Sequence, residues 1–172
     1  MGLAGKVPAD RKDRHYGTRE RHLGTRLRTV EPIRREDSPQ SVSRHQARCT
    51  RVLPLAFSGV CTGELCTLED NIALFRDKSV ELIGISVDSK STLRAWSELK
   101  GFDFNLLADF WPHGDVAKDY GVFLENKGFS NRATFVIDTK GIIRASFITA
   151  PGEARSIEAY RAALEELEPL AV

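Results

Sequence analysis

Pro54 to Cys66 reads PLAFSGVCTGELC and holds two of the three cysteines in a chain of 172 residues. The apolar run VLPLAFSG (52–59) suits the end of a buried strand. The next segment, CTGELCTLEDNIALFRD, sets Leu65, Leu68, Ile72 and Phe75 at helical spacing. Cys61 therefore falls where a strand gives way to a helix. Backbone N–H groups without intrahelical partners, together with the helix dipole, stabilise an anion at such a place. The thiolate, the nucleophilic form of cysteine, is favoured there. Ser58 lies three residues earlier and can hydrogen-bond the sulfur or an oxygen beside it. Pro54 fixes the entry of the loop and shields it. On these residues alone, a small apolar filler remains an equal reading of Cys61.

Cys66 is constrained by geometry. On one regular helix, positions 61 and 66 differ by about 140° around the axis and about 7.5 Å along it. Their Cα separation then exceeds the roughly 7 Å limit for a disulfide. Cys66 is either a plain helix residue or a second thiol reached only when the first turns unwind. Zinc is disfavoured, because a single C-x4-C pair has no second pair and His113 is the one histidine downstream.

Outward from this stretch, VELIGISVD (80–88) is a continuous β-rich run suited to a buried parallel strand. STLRAWSELKG (91–101) reads as a helix closed by Gly101. FNLLAD (104–109) reads as a short strand and DVAKDYG (115–121) as a short helix. ATFVID (133–138) and IIRASFI (142–148) flank Thr-Lys-Gly as a hairpin. SIEAYRAALEELEP (156–169) is an amphipathic helix with Ser156 as N-cap and Pro169 as stop. Strands alternating with helices predict a layered α/β sheet.

Charge divides the chain. Residues 1–51 carry 13 Lys/Arg against 6 Asp/Glu, and residues 52–172 carry 12 against 18. Tyr16 is the only aromatic before residue 52. Residues 1–51 therefore read as a basic, disordered arm and 52–172 as the folded domain. A nucleic-acid-binding arm is the rival reading, weakened by the lack of aromatics or a recognised motif. No apolar run reaches the roughly 18 residues of a membrane span, and three cysteines make no disulfide framework. The expected compartment is the cytoplasm.

PLAFSGVCTGE resembles the Pro-x-x-x-Thr/Ser-x-x-Cys motif of peroxiredoxins, and the likeness continues through LLADFWPHGDVAKDYGVF (106–123) and NRATFVIDTKGIIR (131–144). The group it resembles is that of the alkyl hydroperoxide reductase E proteins, within the thioredoxin-like fold. The resemblance implies a thiol peroxidase that reduces hydrogen peroxide or organic hydroperoxides without cofactor or metal. It makes Cys61 the peroxidatic cysteine. Pro54 and Ser58 become the loop residues that order the peroxide, and Arg132 the arginine supporting the thiolate. Glu64 becomes the glutamate that orients an arginine. The pair Cys61/Cys66 looks like the two-cysteine type whose resolving cysteine lies on the same helix. The implied partners are a hydroperoxide and a thiol reductant: a thioredoxin-like or mycoredoxin-like protein, or a low-molecular-weight thiol. A homodimer is common in the family. No nucleic acid or membrane is implied.

The front of the chain departs from the family, which places a central strand just before the active-site proline. Here that position reads SRHQARCTRVL (43–53), and Arg48 and Arg51 argue against a buried strand, which would leave their charges unpaired. The expectation is a layered sheet whose N-terminal strands are missing or out of frame. The rival to an active enzyme is then a catalytically impaired remnant lacking its central strand. Codons for Ala47 to Pro54 read one base later permit His-Val-Val-Leu-Val-Phe-Phe, an apolar run leading into the proline. The same shift over Gly24 to Arg28 permits Ala-Pro-Asp-Phe, a family-like segment. Residues from about 20 to 53 are thus consistent with an out-of-frame reading of an ordinary front half.

Overall fold

The computed structural model describes residues 46–167. Its main sheet has five strands in the order β3-β2-β1-β6-β7: β1 (Ala47–Val52), β2 (Val80–Ser86), β3 (Asn105–Ala108), β6 (Arg132–Ile137) and β7 (Ile143–Thr149). Strands β1, β2 and β3 run parallel, while β6 and β7 are antiparallel additions. A two-stranded ribbon, β4 (Phe123–Leu124) with β5 (Phe129–Ser130), has no counterpart in the sequence-based expectation. The helices are α1 (Gly59–Asp70), α2 (Ala73–Arg76), α3 (Lys90–Lys100), α4 (Asp115–Asp119) and α5 (Ile157–Glu165).

Most elements form where periodicity places them. The single helix expected from Cys61 to Asp77 is broken at Asn71, so α1 and α2 are separate. Gly101 closes α3 at φ 72°, where a side chain would be strained. The Ser89 hydroxyl caps α3 by accepting from the Thr92 amide, and Ser156 caps α5 by accepting from the Ala159 amide. Pro169, the expected stop of α5, lies outside the described residues.

The sheet separates two layers of core. On one face Cys49, Leu53, Leu82 and Val136 pack with Leu65, Leu68, Phe75, Leu93, Trp96 and Tyr160 of the helices. On the other, Val52, Ala133, Phe135 and Ile137 pack with Ala117 and Val122, and Ile83, Ile85 and Leu107 pack with Val116. Gly84 lies on the first face. A Cβ there would come within 2.6 Å of Leu106 and 3.5 Å of Leu53, so close packing of those leucines requires the missing side chain.

The structure corrects the expectation at the front. Residues 47–52, ARCTRV, occupy the centre of the sheet with all six positions buried. They pair with β2 along the full strand and with β6 from Arg48 to Val52. Residues 47–51, assigned to the arm by the sequence reading, are therefore part of the sheet, and the reading of a remnant lacking its central strand loses its premise. Arg51 is not left unpaired as expected. One nitrogen, Nη2, donates to Glu64 Oε2 at 3.0 Å, and the guanidinium carbon lies 5.6 Å from the Tyr160 ring centre. The accommodation is incomplete, since Arg51 Nε and Nη1 and Arg48 Nε are buried without a hydrogen-bond partner. Each such group carries a desolvation penalty of about 1–3 kcal/mol. Cys49 is fully enclosed, and burial pushes its thiol up to about 12. A thiol so placed is unreactive.

Candidate active site

The chain leaves β1 through a loop that is fixed at several points. The Leu53 amide donates to Ile85 O at 2.9 Å, and the Leu53 carbonyl accepts from the Ser130 hydroxyl at 3.0 Å. Pro54 is buried, and the Ser58 hydroxyl donates back to Leu55 O at 3.0 Å. Phe57 adopts φ 58°, a left-handed conformation that bulky side chains rarely accept. Its ring sits 6.0 Å from that of Trp96. Ser58 holds the N-cap position of α1, and its carbonyl accepts from the Thr62 amide at 2.9 Å. Cys61 is thus in the first turn of α1, as its place in the sequence implies. It is buried and is a free thiol.

Glu64 follows one turn later, on the same side of the helix. It is buried and gathers three arginines. Arg132, from the start of β6, donates through Nη1 to Oε2 at 2.5 Å, and its Nε donates to Pro151 O at 2.8 Å. Arg155, just before α5, donates its backbone amide and Nε to Oε1 at 2.7 and 2.9 Å and Nη2 to Oε2 at 3.1 Å. Its Nη1 reaches Ala133 O at 2.7 Å and Thr134 Oγ1 at 3.1 Å. Arg51 is the third. Burial alone would raise the Glu64 pKa. The Arg155 hydrogen bonds and the charges of Arg51 and Arg155 outweigh it and hold the carboxyl at about 2. Glu64 is ionised across the physiological range, and the arginines are locked around it.

Of the residues singled out from the sequence, Pro54, Ser58 and Cys61 line the passage from strand to helix, Glu64 lies one turn deeper, and Arg132 meets Glu64 from the start of β6. Cys66 is half-buried on the same helix, packs against the core and is a free thiol. Both cysteines lie within α1, so the distance argument against a bridge in the intact helix applies. Sequence reasoning missed Arg155. It stands in PGEAR, a segment without periodicity, and its 91-residue separation from Glu64 left no local signal. Among the described residues, no group of three or more His, Cys, Asp or Glu is placed to hold a metal ion, and no helix is long and apolar enough to cross a membrane.

A thiol in the first turn of a helix, entered from the central strand of this sheet, defines a thioredoxin-like thiol redox protein. The chain belongs to the AhpC/TSA family, whose model matches residues 50–146, and it is a peroxiredoxin of the alkyl hydroperoxide reductase E-like type. Alkyl hydroperoxide reductase E of Mycobacterium tuberculosis is 46% identical over 114 residues, covering 66% of this chain and 74% of the relative. Peroxiredoxin TSA2 of Saccharomyces cerevisiae is 37% identical over 117 residues, covering 63% and 59%. The crystal structure of Enterococcus faecalis AhpC matches with a TM-score of 0.65 at 30% identity, over 70% of this chain and 73% of that one. The reduced 2-Cys peroxiredoxin of Plasmodium vivax matches with a TM-score of 0.64 at 29% identity, over 71% and 65%. As a member of this family the chain is an oxidoreductase, a thiol-dependent peroxidase.

Proposed function

We propose that Cys61 is the peroxidatic cysteine of this peroxidase. Its thiolate attacks one oxygen of a hydroperoxide, the O–O bond breaks, and the second oxygen leaves as water or an alcohol after taking a proton. Cys61 is oxidised to a sulfenic acid. Helix N–H groups and the Arg132 guanidinium stabilise the charge that develops on the separating oxygens. Arg155 and Glu64 hold Arg132 in place, while Pro54 and Ser58 shape the entrance. The carrying observation is Cys61 in the first turn of α1, one turn from a carboxylate that fixes arginines from two other parts of the chain.

Cys66 is proposed to resolve the intermediate. Its thiol attacks the Cys61 sulfenic acid, an S–S bond forms and water leaves. A dithiol reductant, thioredoxin-like or mycoredoxin-like, or a pair of low-molecular-weight thiols then returns both cysteines to thiols and is itself oxidised. Since the pair cannot bridge in an intact helix, resolution includes unwinding of the start of α1. A homodimer in the cytoplasm is the proposed setting.

The test is peroxide consumption with a thiol reductant, combined with dimedone trapping and mass spectrometry. Cys61→Ser should abolish turnover and the dimedone adduct. Cys66→Ser should retain the adduct and lose the intramolecular disulfide. An adduct elsewhere than Cys61 overturns the assignment.

A further inference from the structure

Asp88 stands in the turn between β2 and α3, outside the motif that carries the chemistry, yet it is bonded to the loop that does. Its Oδ2 accepts from the Ala56 backbone amide at 2.7 Å across 32 residues of sequence. The same oxygen accepts from the Ser86 hydroxyl at 2.8 Å, and the Asp88 amide donates to that hydroxyl at 3.3 Å, which fixes the carboxylate on the sheet. Beside it the Phe57 ring rests 6.0 Å from Trp96 of α3, and Phe57 is held at φ 58°. The loop between Pro54 and Ser58 is therefore pinned to the β2–α3 junction by one charge-assisted hydrogen bond and to the middle of α3 by one aromatic contact. It carries a left-handed residue that relaxes when released.

We propose that Asp88 is a positioning residue that latches the active-site loop and sets the balance between the intact and unwound forms of the start of α1. This inference rests on the proposed roles of Cys61 and Cys66. With the latch closed, Ser58 holds the N-cap position of α1 and Cys61 sits in its first turn, the arrangement that reduces peroxide. Formation of the Cys61–Cys66 bond with loss of water requires that turn to unwind, which frees Ala56 and Phe57. Asp88 thereby favours the peroxide step and slows the resolving step. While resolution waits, a second hydroperoxide can oxidise the sulfenic acid to sulfinic acid, itself leaving as water or alcohol.

The experiment compares the full-length wild type, Asp88→Ala and Asp88→Asn by hydrogen–deuterium exchange across residues 54–62 and by rapid-mixing kinetics with hydrogen peroxide. Asp88→Ala is expected to lose protection at Ala56, lower the rate of sulfenic acid formation, and raise the peroxide concentration needed for sulfinic acid. The open-to-closed ratio of the loop should rise about tenfold or more, the worth of one hydrogen bond to a carboxylate, and the three readouts should move together in these directions. Asp88→Asn keeps an acceptor oxygen for the Ala56 amide and should recover most of the protection and both rates. A merely structural role would depress both steps together and leave Asn no better than Ala. That result, or unchanged Ala56 exchange in Asp88→Ala, overturns the latch. If the wild type forms no sulfenic acid at Cys61, the catalytic reading fails, while the exchange comparison still decides whether Asp88 holds the loop.

Discussion

Arg51→Met should make the protein more stable, although it deletes a buried ion pair. Arg51 is fully enclosed in the central strand, and burial is the dominant influence pushing its pKa down. Of its three guanidinium nitrogens only Nη2 is satisfied, by Glu64 at 3.0 Å, while Nε and Nη1 have no partner. Losing the Glu64 bond costs about 1.5–3 kcal/mol, and losing the contact with Tyr160 costs about 1–2 kcal/mol. Against this, removing two orphaned donors recovers about 1–3 kcal/mol each. Replacing a charge by an unbranched apolar chain of similar length also removes like-charge repulsion within a trio that shares one carboxylate. Glu64 is not orphaned, because Arg132 and Arg155 still hold both its oxygens. These contributions nearly cancel, and relief of the repulsion tips the net to a gain of about 1–2 kcal/mol, at the low end of what is found where buried ion pairs are replaced by apolar residues. In equilibrium urea unfolding at pH 7, with a slope of about 2 kcal/mol per molar, the midpoint should rise by about 0.5–1 M. A midpoint lowered by 0.5 M or more at unchanged slope would refute the reasoning and show that Arg51 is a net structural contributor.

Three further expectations follow from the same cluster and strand. Arg155→Ala should destabilise the fold by about 3–5 kcal/mol, because it leaves Glu64 and the Ala133 carbonyl short of donors; unchanged urea and thermal midpoints would contradict this. Acid should weaken the fold through Glu64. Its folded pKa of about 2 lies below the ordinary 4.5, so its contribution is fully present above pH 4.5 and is lost as pH falls toward 2, and the acid sensitivity of stability should shrink in Glu64→Gln. The coding DNA read across codons 15–60 should show an added base near the Pro54 codon, restoring an apolar strand, and a read that reproduces the present chain would retire the shifted-frame proposal.

That last expectation gains interest from where the family match begins, at Thr50, inside β1. The strand's register is that of an ordinary central strand, yet it carries Arg48 and Arg51 among the core residues Ala47, Cys49 and Val52. The backbone ladder does not distinguish the two, because main-chain hydrogen bonds form whatever the side chains are. The mismatch appears only as buried guanidinium nitrogens without partners.

The sequence by itself determined what depends on neighbouring residues. Helical spacing marked α1, α3 and α5, the unbroken apolar run marked β2, and Thr-Lys-Gly marked the β6–β7 turn, where Gly141 takes φ 82°. It also put Cys61 at the start of a helix, which is a local property. The tertiary structure alone decided that ARCTRV lies at the centre of the sheet, and that Glu64 draws Arg51, Arg132 and Arg155 from 13, 68 and 91 residues away. Local pattern reports whether a segment has an apolar face. Whether a charge can be buried depends on the partner waiting for it, and only the folded chain brings that partner into reach.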